Sequence, residues 1–106
     1  MSLPHVTTET FEQEVLQSPV PVLVEFTAEW CAPCRQLEPI LLELAQEWLG
    51  RIKIVAYDVD QDPKFVLKNR IFGVPTLVLY VNGQAKERIT GLRPKGHLVK
   101  KFERYL

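Results

Sequence analysis

The stretch Val22-Leu23-Val24-Glu25-Phe26-Thr27-Ala28-Glu29-Trp30-Cys31-Ala32-Pro33-Cys34 decides the fold. Its first five residues form a short, nearly continuous apolar run, as in a strand buried on both faces of a sheet. From Cys34 to about Leu49 the period changes, and Leu37, Ile40, Leu41, Leu44, Ala45 and Trp48 recur at helical spacing. Between the two patterns lies a turn that holds both cysteines of the chain. A buried strand that feeds a long amphipathic helix opens a βαβ unit.

Working outward, Thr7 and Thr8 can cap a helix whose apolar positions Phe11 and Val15 lie one turn apart, until Pro19 and Pro21 break it. Pro39 falls inside the long helical pattern and predicts a kink. Gly50 ends that helix, and Ile52 to Tyr57 reads as a second buried strand. A short helix from Pro63 to about Asn69 leads to a third strand, Thr76 to Val81. Asn82-Gly83 is a two-residue hairpin signal, and Lys86 to Thr90 alternates as an edge strand does. A last helix follows Pro94, with Leu98, Val99, Phe102, Tyr105 and Leu106 on its inner side. The early order implies parallel strands with a right-handed crossover, and the late hairpin adds antiparallel ones. The expectation is an α/β fold with a mixed sheet and helices on both faces.

Composition narrows the function. With 106 residues, 46% of them hydrophobic and 25% charged, residues 1–106 read as one domain without repeat or linker. The 13 basic residues cancel the 13 acidic ones, so no polyanion preference of the nucleic-acid-binding kind is expected. Met-Ser-Leu-Pro-His-Val at the N-terminus has neither a basic nor an apolar leader region, and no apolar run approaches the roughly 18 residues of a membrane span. A cytoplasmic monomer is the expectation. Two cysteines are too few for a disulfide-stapled secreted scaffold.

The chemistry therefore concentrates at Trp30-Cys31-Ala32-Pro33-Cys34. A helix N-terminus presents unpaired N–H groups and about half a positive charge, both of which stabilise a thiolate. An ordinary thiol, with pKa near 8.5, is only a few per cent ionised at neutral pH, and each unit of depression is worth about 1.4 kcal/mol. Cys31 precedes the first turn and is expected to be the exposed nucleophile, with Cys34 close by and further inside. Pro33 loses no useful N–H there and presets φ for the helix. The spacing permits a reversible disulfide that closes after Cys31 has joined a partner. A purely structural bridge closes so short a loop that it removes little unfolded-state entropy. A zinc site needs two further ligands, for which only His5 and His97 are on offer.

Several separated motifs make the chain resemble the thioredoxin family from about Val6 to Leu106: Val24-Glu25-Phe26, Ala28 through Cys34, Pro39-Ile40-Leu41, Asp58-Val59-Asp60, Gly73-Val74-Pro75-Thr76, Asn82-Gly83 and Gly91. The resemblance implies a thioredoxin-like, three-layer α/β/α fold with a central mixed sheet and four helices, and protein-disulfide reduction as the activity. It implies a cis-proline turn at Val74-Pro75-Thr76, where the residues alone favour an ordinary trans proline leading a strand. The backbone of Val74 would pair with substrate beside Cys31, Gly91 would leave room opposite, and Trp30, Ala32 and Pro33 would supply an apolar contact face. A thioredoxin reductase, NADPH- or ferredoxin-linked, would recharge the protein. No bound cofactor is needed, because the Cys31/Cys34 dithiol itself carries the electrons.

Glu25 is the one ionisable group in the first strand run. It either reaches solvent at a strand end or is buried, in which case desolvation raises its pKa towards neutrality and makes it a proton acceptor for Cys34. The family usually has Asp at this position. Other departures surround it: Ala32 replaces the usual Gly and stiffens the helix start by roughly 0.5–1 kcal/mol. Thr27 stands where a second tryptophan is usual, and Ala56 where a lysine usually approaches the buried acid. Trp48 reads as core, while His97 and the cluster Arg93, Lys95, Lys100 and Lys101 read as solvated. Two other functions compete with reduction. One is a thiol oxidase or isomerase of the same fold, kept open by Ala32 and Thr27. The other is a binding or chaperone-like module using the Trp30–Pro75 surface without turnover, against which intact Cys31 and Cys34 argue.

Overall fold

The computed structural model describes residues 2–106. A two-residue strand β1 (His5–Val6) precedes helix α1 (Thr8–Phe11), which widens into a π-helical turn over Glu12–Leu16. Thr7 caps α1 in a reciprocal box with Thr10. There follow β2 (Val22–Thr27), α2 (Ala32–Glu47), β3 (Lys53–Asp58), α3 (Pro63–Lys68), β4 (Thr76–Val81), β5 (Gln84–Thr90) and α4 (Lys95–Phe102). The strands form one sheet in the order β1-β3-β2-β4-β5. β1 and β2 run parallel to β3, whereas β4 is antiparallel to both β2 and β5. This is the mixed sheet with four helices expected from the sequence.

Alternation along β2 divides the core in two. Leu23 packs on one face with Ala56 and Leu77 beneath Leu37, Leu41 and Leu44 of α2 and Leu98 and Phe102 of α4. Val22, Val24 and Phe26 face the other way, against Phe11, Val15 and residues of α3. That second face is aromatic: Phe11 meets Tyr57 and Tyr80 edge-on, and the Tyr57 hydroxyl lies 2.6 Å from that of Thr8. The sheet is thus sandwiched between α2 and α4 on one side and α1 and α3 on the other. Trp48 is buried, as its place on the α2 stripe predicts.

Some boundaries differ from the sequence reading. α2 begins at Ala32, because Cys31 caps it, and it continues through Pro39 as one element. β1 carries too few residues for any periodic signal. β5 starts at Gln84, immediately after the turn, and a register shift opposite Leu79 and Tyr80 interrupts its alternation. The hairpin turn itself is as expected, with Asn82 and Gly83 both at positive φ (52° and 79°). Among the described residues no helix is long and apolar enough to cross a membrane.

Candidate active site

β2 ends at Thr27, and four residues later Cys31 becomes the N-cap of α2. The cap bond is made by sulfur: the Cys34 N–H donates to Cys31 Sγ at 3.2 Å. Cys31 and Cys34 form a disulfide with their Cα atoms 5.3 Å apart. The first-turn amide that now points at Cys31 Sγ is the one that would stabilise a thiolate on the same atom.

The expectation that Cys31 is exposed is corrected by the structure. Cys31 is only 4% accessible and Cys34 2%. In the closed disulfide both sulfurs turn inward onto Ala28, and Val59 and Val74 pack over them. What is exposed is the rim: Ala32 and Pro33 lie open to solvent, and Trp30 is 68% accessible. The Trp30 indole is held in place, its Nε1–H donating to Asp60 Oδ2 at 2.9 Å.

The Val74–Pro75 bond is cis, and Val74 packs against the disulfide cluster. Gly91, at φ 95°, donates its N–H to the Pro75 carbonyl at 2.7 Å and so ties the end of β5 to this turn. A side chain at Gly91 would meet Arg93 Nη1 at 3.1 Å. Thr76 is turned inward, its hydroxyl donating to the Gly73 carbonyl at 2.7 Å. The side chain shapes the turn.

Glu25 is fully buried, and both of its carboxylate oxygens lack a hydrogen-bond partner. It pairs with Ala56 of β3 and Leu77 of β4 on the α2 face of the sheet. Desolvation, with a smaller contribution from the negative charge of Glu38, pushes its pKa up from 4.5 to about 7. Two strand residues further on, Thr27 lines a cleft of about 340 Å³ together with Cys34, Arg35 and Glu38 of α2, His5 of β1 and Asp58 of β3. His5 thus comes near Cys34, although among the described residues no cluster of metal-ligating side chains forms.

Four participants escaped the sequence reading. Asp60, which anchors Trp30, was visible only as part of the Asp58-Val59-Asp60 motif. Glu38 carried a positional signal, because it follows Cys34 by one helical turn. Phe72 is 82% exposed and joins Trp30 and Val74 around an apolar groove of about 200 Å³. Nothing local in the sequence distinguished it, nor His5.

A reversible disulfide at the N-terminus of a helix, facing a cis-proline turn, defines a thiol–disulfide oxidoreductase. The thioredoxin family model matches residues 2–104. The chain is 43% identical over 101 residues to thioredoxin 1 of Nostoc sp., covering 95% of this chain and 94% of that one. It is 45% identical over 98 residues to a thioredoxin of Streptomyces clavuligerus, covering 92% and 91%. Against a thioredoxin of Rickettsia bellii it is 41% identical over 95 residues, covering 90% of each. The chain belongs to the thioredoxin family. Its activity is protein-disulfide oxidoreduction, and its redox centre is the Cys31–Cys34 pair.

Proposed function

We propose that Cys31 is the attacking thiolate, Cys34 the resolving thiol and Glu25 the proton acceptor. Cys31 Sγ attacks one sulfur of a partner disulfide. A Cys31–partner disulfide forms, the partner's own S–S bond breaks, and one partner thiolate leaves. Cys34 then gives its proton to Glu25 and attacks Cys31 Sγ, closing the Cys31–Cys34 disulfide and releasing the second partner thiolate. Two electrons have passed from the dithiol to the partner. The observation that supports the two cysteine roles is the bond from the Cys34 N–H to Cys31 Sγ, a donor that would stabilise a thiolate on Cys31.

Trp30, Ala32, Pro33, the Val74 backbone, Pro75 and the gap left by Gly91 form the proposed contact surface for an extended partner segment, and Thr76 holds its turn. The partners are disulfide-bearing proteins and a thioredoxin reductase that returns the electrons. Residues 1–106 act as one domain and one monomer, working in the cytoplasm, where a reduced thiol pool is maintained. Insulin reduction with dithiothreitol tests the roles. Cys31→Ser is expected to abolish it, and Cys34→Ser to accumulate a mixed disulfide on Cys31. Retained turnover in Cys31→Ser overturns the assignment.

A further inference from the structure

The cleft beside Cys34 has an unusual charge balance. Its ionisable groups are His5 from β1, Glu29 from the loop after β2, Arg35 and Glu38 from α2, and Asp58 from β3. Arg35 is held along the cleft wall, its Nη1–H donating to the Glu29 carbonyl at 2.5 Å. Asp58 accepts the Asp60 N–H at 2.9 Å. None of the ion pairs among the described residues involves Glu38. The sheet register places Glu25 beside Ala56, one step inward from the Thr27–Asp58 pair at the cleft wall. The Ala56 methyl gives the Glu25 carboxyl nothing to bond, and both of its oxygens are unpartnered. Glu38, half-buried one turn after Cys34, brings a carboxylate to the same side of the sheet.

We propose that Glu38 is a positioning residue for the proton step: its negative charge in the cleft strengthens Glu25 as the acceptor of the Cys34 proton. This rests on the reading of Glu25 given above. With both carboxylates ionised, each repels the other, and the buried Glu25 is little screened by solvent. Transfer of one proton from Cys34 Sγ to a Glu25 oxygen ends the repulsion between the two carboxylates and moves the negative charge onto Cys34 Sγ, the thiolate that attacks Cys31, so Glu38 favours the step to the extent that its charge acts more strongly on Glu25 than on Cys34. Neutralising Glu38 therefore makes Glu25 a weaker base while leaving both cysteines in the chain.

The experiment compares Glu38→Gln and Glu38→Asp with the parent protein, each also in a Glu25→Gln background. The first readout is the titration midpoint of the Glu25 carboxyl carbon, followed by NMR in the oxidised protein. The second is the pH profile of partner release from the Cys31 mixed disulfide. In Glu38→Gln the midpoint is expected to fall by about 0.5–1 pH unit, a roughly three- to tenfold change in ionisation ratio. Glu38→Asp should keep most of the parent value. The acid limb of the release profile should move with the midpoint, and the movement should vanish when Glu25 is Gln. An unmoved midpoint overturns the role of Glu38, even where Glu25→Gln itself alters the profile. A midpoint that moves while release is unchanged in both backgrounds overturns Glu25 as the acceptor, and this inference with it.

Discussion

Glu25 makes the folded protein lose stability as pH rises, and the size of the loss follows from its burial. The carboxyl titrates at 4.5 when exposed and at about 7 in the fold. Between those values the folded state binds a proton that the unfolded state has released. Stability therefore falls through this window and is lowest above it, the reverse of an ordinary salt-bridged carboxylate. The whole gap is worth about 3 kcal/mol, of which about 2–3 kcal/mol lies between pH 5 and pH 8. For a domain whose total stability is about 5–15 kcal/mol, that is a readable fraction. Urea unfolding of the oxidised protein at pH 5, 6, 7 and 8 should show the midpoint falling by roughly 1–2 M more than in Glu25→Gln. The comparison with Glu25→Gln cancels every other titrating group. A stability difference between the two proteins that stays constant from pH 5 to pH 8 refutes the reasoning, because it would mean that the buried carboxyl is as easily ionised as an exposed one.

Other substitutions separate the site from the scaffold. Trp30→Ala should leave thermal stability nearly unchanged, since the ring is mostly exposed, yet lower kcat/KM for insulin by about tenfold or more, as loss of an aromatic contact does. Gly83→Ala should destabilise by more than about 1 kcal/mol, because φ is 79° and a Cβ would lie 2.9 Å from the Leu16 carbonyl. Gly96→Ala in α4, with open space around it, should instead stabilise by about 0.5–1 kcal/mol, and paired thermal melts read both signs. Because the formal net charge is zero, reduction of a neutral partner should change by less than about threefold between 50 and 500 mM salt; a steep fall would indicate electrostatic steering. Ala56→Lys, beside Glu25 in the ladder, should flatten the loss of stability above pH 5 by giving the acid a cation, and an unchanged slope in urea unfolding contradicts this.

The parts of the fold that repeat were legible in the sequence. β4 carries its whole length as an apolar run, and the Asn82-Gly83 turn declares itself through two residues that accept positive φ. The position of Cys31 at a strand-to-helix junction was equally plain, because strand and helix periods meet there. Its burial was not, since Val59 and Val74, which close over the sulfur, come from chain segments far from it in sequence. β1 holds only His5 and Val6 and exists because β3 offers a free edge, a property of the sheet and not of two residues. The inward turn of Thr76 was not legible either, because it follows from its hydroxyl meeting the Gly73 carbonyl three residues back.

The departures at Thr27 and Ala56 look unrelated along the chain, and the register of β2 with β3 shows that both lie beside Glu25. Glu25 and Thr27 share a face of β2, and their partners across the ladder are Ala56 and Asp58. A lysine at position 56 would set a positive charge beside the acid and favour its ionised form. Ala56 sets none, and the negative charge of Glu38 adds to burial in holding the proton on Glu25. Thr27 contributes by leaving the cleft wall low, so that the region between α2 and the ends of β2 and β3 stays open where a tryptophan would fill it. A longer side chain than Asp at position 25 belongs to the same logic: without a cation to meet it, Glu25 keeps its proton by burial, and a buried acid poised near neutrality is a stronger acceptor for a thiol proton than one ionised throughout.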